Sequence, residues 1–172
     1  MKNKLVFIIY LFLFAVLLWF DRFTKNLVMT HMQLGEALPS QDAFAAIRYT
    51  INTGVSFSLF SGHPEVLIVL QSILFIAVAI AFAVTYRRLR HPMLQTGLIW
   101  IVSGGAGNLI DRAMYGHVID FISVGSFPVW NFADMCIVGG CILLGIYILF
   151  LYGRKKEDPP EETSLQPAES DI

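Results

Sequence analysis

The chain has 172 residues, of which 56% are hydrophobic and only 15% are charged, with a formal net charge of −1. Soluble domains carry about 45–50% apolar and about 25% charged residues, so this apolar excess is typical of a membrane protein and argues against one water-soluble core. The sequence has neither a basic face nor an aromatic-basic platform, and it therefore gives no support to a nucleic-acid partner.

Four apolar stretches are long enough, or nearly so, to cross a membrane, which takes about 20 residues for a helix. In chain order the predicted spans are 5–20 or slightly longer, 66–86, 93–110 and 131–152. The first span follows two lysines, as a secretory signal peptide would, but it ends in LLWFDRF without a small-residue cleavage pattern. We therefore expect an uncleaved anchor and one four-helix membrane domain over residues 1–156.

Basic residues predict the orientation, because short cytoplasmic loops carry an excess of Lys and Arg. Lys2 and Lys4 precede the first span, RRLRHP (87–92) joins the second to the third, and RKK (154–156) follows the fourth. We expect both termini in the cytoplasm, with outward segments at 21–65 and 111–130. Residues 157–172 are acidic and poor in apolar groups, which predicts a disordered cytoplasmic tail.

The outward segments contain two strand-like patterns. AIRYTINTGVSFSLF (46–60) is rich in β-branched and aromatic residues, and GHVIDFISV (116–124) alternates in a strand-like way. These patterns predict short β structure on the outer membrane face. Residues 26–38 fit either a continuation of the first helix or a segment along the interface.

The acidic residues near the spans all lie at outward ends. Asp21 ends the first span, Asp111 follows the third, Asp134 begins the fourth, and Asp120 lies in the loop between the last two. Ionisable groups at membrane depth are costly and are functional candidates by default.

Structural roles compete with catalysis for two of these acids. Asp21 and Lys25 are spaced i,i+4, so an ion pair explains Asp21 at least as well as a catalytic role does. Asp111 is adjacent to Arg112 where the third helix is expected to end. Arg112 fits a headgroup anchor there, and Asp111 would then satisfy Arg112 or a nearby backbone group.

Asp120 and Asp134 are the stronger pair. Asp134 stands at N3 after Asn131, so a capping box is about as good an explanation as catalysis. Asp120 interrupts the apolar stretch HVIDFI without a basic neighbour in sequence. Two aspartates that converge can share a proton, so that one acts as base and the other as acid in peptide hydrolysis.

Other chemistries find little support. The sequence has no HExxH motif and its four histidines are scattered, so we expect no metal or other cofactor. Ser103 is not in a nucleophile elbow, and with Gly104 and Gly107 it fits close helix packing. A proton-coupled carrier that uses the same outward aspartates stays open as an alternative, as does a non-enzymatic membrane scaffold.

Four motifs in order carry a resemblance to a known family. DRFTK (21–25), NTGVSFS (52–58), GGAGNLIDRAMYGHVIDF (104–121) and NFAD (131–134) resemble the motif series of the bacterial lipoprotein signal peptidases, the type II signal peptidases. The resemblance implies an aspartyl endopeptidase of the inner membrane. It would remove the signal peptide from diacylglyceryl-modified prolipoproteins by cutting before the lipidated cysteine.

The resemblance also assigns residues and a fold. It implies Asp120 and Asp134 as the catalytic pair. The implied substrate-binding or supporting residues are Asp21, Lys25, Asn52, Gly54, Gly104, Asn108, Arg112 and Asn131. The implied fold is an all-α membrane protein with a small β element: four transmembrane helices, a small extracytoplasmic sheet and an interfacial helix. We expect a monomer whose partners are membrane lipids and prolipoprotein substrates.

Overall fold

The computed structural model describes residues 2–54, 64–89 and 91–152. Its elements in chain order are α1 (Lys2–His31), β1 (Ala37–Leu38), β2 (Ala45–Asn52), α2 (Pro64–Arg88), α3 (Pro92–Tyr115), β3 (Val118–Val124) and α4 (Phe132–Ile146), which continues as a π-helix over Tyr147–Leu151. Four helices are long and apolar enough to cross a membrane, by length and composition. The predicted all-α membrane fold with a small β element is confirmed.

Two helices, α1 and α3, run five or more residues past the C-terminal ends that the hydropathy pattern predicts. α1 runs to His31, well past residue 20, which decides the ambiguous segment from residue 26 in favour of a helix up to that point. α3 runs to Tyr115 rather than to residue 110, and it ends where Gly116 takes a left-handed conformation (φ 76°) and donates its N–H to the carbonyl of Arg112. Both helices continue past charged residues because the side chains of these residues bind buried partners on other elements.

Several predictions fall outside what the structure describes. Residues 153–172 are not described, so the tail and the domain boundary at 156 stay predictions. The same holds for the continuation of the first strand pattern beyond residue 54. Within the described ranges there is no separate interfacial helix, and that part of the expected fold stays a prediction as well.

An aromatic and aliphatic core joins one end of all four helices. The rings of Tyr10 and Phe82 pack edge to face with centroids 5.9 Å apart, and the rings of His91 and Tyr147 are 4.6 Å apart. The first contact joins α1 to α2, the second joins the residue before α3 to the last helical segment, and all of these meet in one buried cluster through Leu94, Leu98 and Ile99 of α3. The helices therefore run alternately up and down, and their other ends collect on the side of the sheet.

α3 and α4 cross with their backbones in close contact. A Cβ on Gly140 would lie 2.6 Å from the carbonyl oxygen of Gly97, and a Cβ on Gly104 would overlap the carbonyl oxygen of Ala133. A Cβ on Gly107 would overlap the carboxylate of Asp21 in the same way. Small residues are the usual means by which membrane helices approach each other, and here they set the position of the first turn of α4.

The three strands form one antiparallel sheet in the order β1-β2-β3. β2 pairs with β3 so that Thr50 lies opposite Asp120 and Asn52 lies opposite Val118, with a register shift between Ile47 and Thr50. Because of this register, the end of β2 reaches the position of Asp120.

The glycine contacts predict a difference between two neighbouring positions on α3. Gly104→Ala should lower the stability of the protein by about 1–3 kcal/mol or more, because the new methyl group has no room against the backbone of α4. Gly105→Ala is the matched control, since among the residues that the structure describes a Cβ there would meet only the ring of Phe75, at 3.9 Å. The thermal midpoints of the detergent-solubilised variants measure the difference, and equal midpoints would contradict the close contact.

Candidate active site

The two candidate catalytic aspartates come from different elements and are held by amide groups. Asp120, on β3, accepts from Nδ2 of Asn131 at 2.6 Å and from Nδ2 of Asn52 at 3.0 Å. Asp134, in the first turn of α4, accepts from Nδ2 of Asn108 at 2.7 Å and from the backbone N–H of Asn131 at 3.2 Å. Each carboxyl group therefore has a neutral N–H donor on each of its oxygens.

Asn131 connects the two sides of the site. Its side-chain oxygen accepts from the backbone N–H of Asp134, which completes a capping box at the start of α4. Its Nδ2 also donates to Oδ1 of Asn108 at 3.1 Å. The predicted capping role of Asp134 is confirmed, but it occupies only Oδ2, while Oδ1 faces Asn108. Capping and membership of the site are therefore compatible.

Asp120 is in an environment that favours its neutral form. The residue is 2% exposed, and the two carboxyl groups, both in the described part of the chain, make no hydrogen bond to each other. Burial, and after it the negative charge of Asp134, raises the pKa of Asp120 to about 6. The hydrogen bonds from Asn52 and Asn131 oppose this rise, because they stabilise the charged form.

Behind the two carboxyl groups lies a buried ion cluster, formed by Asp21, Arg22, Lys25 and Asp111. Lys25 is fully buried, and its Nζ lies 3.0 Å from Oδ2 of Asp21, 2.8 Å from Oδ2 of Asp111 and 3.0 Å from Oδ1 of Asn108. The ammonium group donates a hydrogen bond to Asn108 and forms ion pairs with the two carboxylates. Arg22 also pairs with Asp111. The predicted ion pair of Asp21 with Lys25 is confirmed.

The ion cluster also holds the backbone on which the two candidate aspartates stand. Oδ1 of Asp21 accepts from the N–H of Ala133 at 3.0 Å, one residue before Asp134. Oδ2 of Asp111 accepts from the N–H of Ile119 at 3.2 Å, one residue before Asp120. The cluster therefore sets the positions of α4 and β3 relative to each other.

The prediction that Arg112 anchors at the headgroups is wrong. Arg112 is 5% exposed and points inward, where Nη1 donates to Oε1 of Gln71 at 2.9 Å and Nη2 donates to the carbonyl of Gly54 at 2.8 Å. Asp111 pairs with Arg22 and Lys25 instead of Arg112, and the alternative prediction that it satisfies a nearby backbone group is confirmed by its hydrogen bond from the N–H of Ile119. The cause is the continuation of α3 to Tyr115, which keeps both side chains inside the protein.

Gln71 is a site residue that the sequence predictions missed. It is the only carboxamide in the apolar stretch 66–84. An amide within a membrane span needs a polar partner inside the protein. The sequence could have indicated Gln71 as a site residue for this reason.

A cavity of about 1100 Å³ opens beside the two aspartates. Asp120, Asp134, Asn52, Gly54, Asn108, Arg112 and Gln71 contribute to its lining. Apolar side chains from the 124–130 loop and from α4 complete the walls.

Of the other predicted residues, Asn131 lies behind the carboxyl groups, Asp21 and Lys25 lie in the ion cluster, and Gly104 packs against Ala133. No group of three or more His, Cys, Asp or Glu with metal-binding geometry occurs among residues 2–54, 64–89 and 91–152.

Comparison with known proteins places the chain in a family. The family model described as signal peptidase (SPase) II matches residues 13–150. The chain belongs to the signal peptidase II family. The membership makes it a protease, and together with the four apolar helices it makes the chain a multi-pass protein of the bacterial inner membrane.

Individual relatives support the assignment of the chain to this family. A lipoprotein signal peptidase of Moorella thermoacetica is 34% identical over 152 residues, covering 87% of this chain and 99% of the relative. One from Dehalococcoides mccartyi is 41% identical over 135 residues, covering 75% of this chain and 82% of the relative. A bacterial membrane enzyme solved by the in meso method at 2.3 Å resolution superposes with a TM-score of 0.75 at 28% identity, covering 87% of this chain and 93% of that one.

The ion cluster predicts a large effect for one lysine. Lys25→Met should destabilise the protein by about 3–5 kcal/mol, because it leaves two buried carboxylates without their shared cation. Lys4→Met, which removes an exposed lysine from the same helix, is the matched control. Thermal unfolding in detergent measures both variants, and a Lys25→Met midpoint equal to that of the control would show that the cluster does not stabilise the fold.

Proposed function

We propose that the chain is an aspartyl endopeptidase that removes the signal peptide from diacylglyceryl-modified prolipoproteins, cutting before the lipidated cysteine. The observation that carries the proposal is the pair of carboxyl groups, Asp120 and Asp134, at one cavity. They come from separate elements, and both are held by neutral amide donors rather than neutralised by a cation. The lipoprotein signal peptidases among the relatives support the substrate class.

The proposed reaction uses a water molecule between the two carboxyl groups. The ionised carboxylate takes a proton from the water, whose oxygen forms a bond to the scissile carbonyl carbon. The protonated carboxyl group donates its proton to the carbonyl oxygen. The tetrahedral intermediate then collapses: the carboxyl group that took the proton from water gives it to the leaving amine, the C–N bond breaks, and the other carboxylate takes a proton back from a hydroxyl of the intermediate. The two aspartates act as one unit that exchanges roles during the cycle.

We assign the starting base to Asp134 and the starting acid to Asp120. The pKa of Asp120, raised to about 6 by burial and by the charge of Asp134, makes the protonated form predominant below about pH 6, well above the range in which an ordinary aspartate is protonated. Asp134 stands in the first turn of α4, where the helix dipole and the capping N–H of Asn131 stabilise a negative charge.

We also propose a placement in the membrane. The site lies at the helix ends remote from the basic 87–92 turn, so an orientation with that turn in the cytoplasm puts the site at the outer face. The lipid chains of the substrate would then stay in the bilayer while the peptide enters the cavity. In this proposal residues 1–156 act as one membrane domain and as a monomer. No observation on the described residues favours the proton-coupled carrier.

The proposed pair of catalytic aspartates predicts that substitution of either one abolishes most of the cleavage activity. Asp120→Asn and Asp134→Asn should each lower the cleavage rate of a lipidated precursor by about 100-fold or more, because each removes one acid-base partner. Asp42→Asn, at an exposed position on the loop before β2, is the matched control. Membrane insertion is checked for every variant. Wild-type cleavage by either dyad variant would refute the assignment.

The environment of Asp120 predicts a pH dependence. If Asp120 must be protonated, kcat/KM should fall as the pH rises through about 6. Asn52→Ala should move this inflection to higher pH, because the lost hydrogen bond stabilises the charged form of Asp120. Thr53→Ala, which changes another cavity residue, is the control. A profile that rises through the inflection would reverse the roles of the two aspartates, and an unmoved inflection in Asn52→Ala would remove Asp120 as its source.

A further inference from the structure

Gln71 contributes an amide group to the cavity lining from α2, a helix whose only other polar side chain between residues 66 and 84 is that of Ser72. It stands seven residues after Pro64, about 10 Å along the axis of α2. Its side chain is half-buried, and it lines the same cavity as Asp120 and Asp134. An amide at this depth is costly unless it is hydrogen-bonded.

Arg112 determines which way the amide of Gln71 points. A guanidinium group only donates hydrogen bonds, so the atom that faces Nη1 at 2.9 Å must be the oxygen Oε1. The opposite atom, Nε2, therefore carries the two N–H bonds. Arg112 is itself held by the carbonyl of Gly54 at 2.8 Å, so it gives the amide a fixed support.

The N–H groups of Gln71 have no acceptor in the described part of the chain. The only hydrogen bond of its side chain to residues 2–54, 64–89 and 91–152 is the one that Oε1 accepts. Nε2 of Gln71 has no partner among these residues, and it is not one of the fully buried polar atoms. Its surface is therefore accessible from the cavity. Since Gln71 lines the cavity, the two N–H bonds are open to whatever fills it.

We propose that Gln71 is a substrate-binding residue whose Nε2 donates a hydrogen bond to a carbonyl oxygen of the bound precursor. The proposal rests on the proposed function and deepens it. A substrate carbonyl that leaves water for this cavity needs a donor, and Gln71 supplies one whose orientation is set before binding. The carbonyl comes either from the peptide backbone near the scissile bond or from an acyl ester of the lipid, and the chemistry of recognition is the same.

Two substitutions separate this role from mere support of Arg112. Gln71→Met keeps the length of the side chain and removes both the donor and the acceptor. Gln71→Glu keeps an oxygen for Arg112 and removes the N–H donor. Ser72→Ala, the next residue on α2, is the matched control. The full chain in detergent is assayed with a synthetic diacylglyceryl lipopeptide, each variant at its own pH optimum.

Both Gln71 variants should raise KM about three- to tenfold and keep kcat within about twofold, because a bond made equally to substrate and transition state changes KM alone. The control should match the wild type. A wild-type KM in Gln71→Met overturns the proposal. A wild-type KM in Gln71→Glu overturns it too, since Gln71 would then act only through Arg112. The Asp120→Asn and Asp134→Asn results test the proposed function separately, because they do not depend on Gln71.

A second substrate identifies the carbonyl. In a lipopeptide whose two acyl chains are joined by ether bonds, the ester carbonyls are gone and the peptide is unchanged. If the KM ratio of Gln71→Met to wild type stays raised with this substrate, the peptide backbone is the acceptor. If the ratio falls to one because the wild type loses affinity, the lipid ester is the acceptor. A raised KM with kcat also lowered about 100-fold would assign Gln71 to the chemical step and overturn a binding role.

Discussion

A single buried ammonium group, that of Lys25, is the constraint on which the geometry of the site depends. A charge inside a protein must be paired, and a pair that loses one partner is strongly destabilised. The two carboxylates that Lys25 brings together, Asp21 and Asp111, each hold the backbone N–H just before one of the candidate catalytic residues. The separation of the two candidates is therefore set by charge balance in the interior.

The apolar side chains of the four helices enclose the ion cluster, but they do not determine how the helices are positioned relative to each other. Lipid is as apolar as leucine, so burial of aliphatic side chains does not drive one membrane helix against another. Backbone contact at Gly97, Gly104 and Gly140 provides the close fit between α3 and α4. Gly107 leaves the space in which the carboxylate of Asp21 reaches the start of α4. The close glycine contacts and the ion cluster therefore both determine the position of the first turn of α4.

The sequence predicted the elements better than it predicted their ends or partners. Hydropathy located four spans because each needs a long apolar run, and the spacing of Asp21 to Lys25 and of Asn131 to Asp134 predicted two local contacts. Such contacts depend on neighbours a few residues away. The partners of Arg112 lie 41 and 58 residues away, so no local pattern indicates them, and the wrong prediction of a headgroup anchor followed. The pairing register of Asp120 with Thr50 depends on tertiary contacts in the same way.

The capping box at the start of α4 has a consequence for inhibitor resistance. Oδ2 of Asp134 accepts from the backbone N–H of Asn131 and Oδ1 accepts from Asn108, so a compound that donates to Oδ1 would share that oxygen with Asn108 and leave the helix cap intact. A resistant strain that altered Asp134 would lose the side chain that completes the helix cap, and in the proposed mechanism it would also lose turnover. Escape mutations would therefore arise on the apolar walls of the cavity, where a change in shape leaves the polar framework intact.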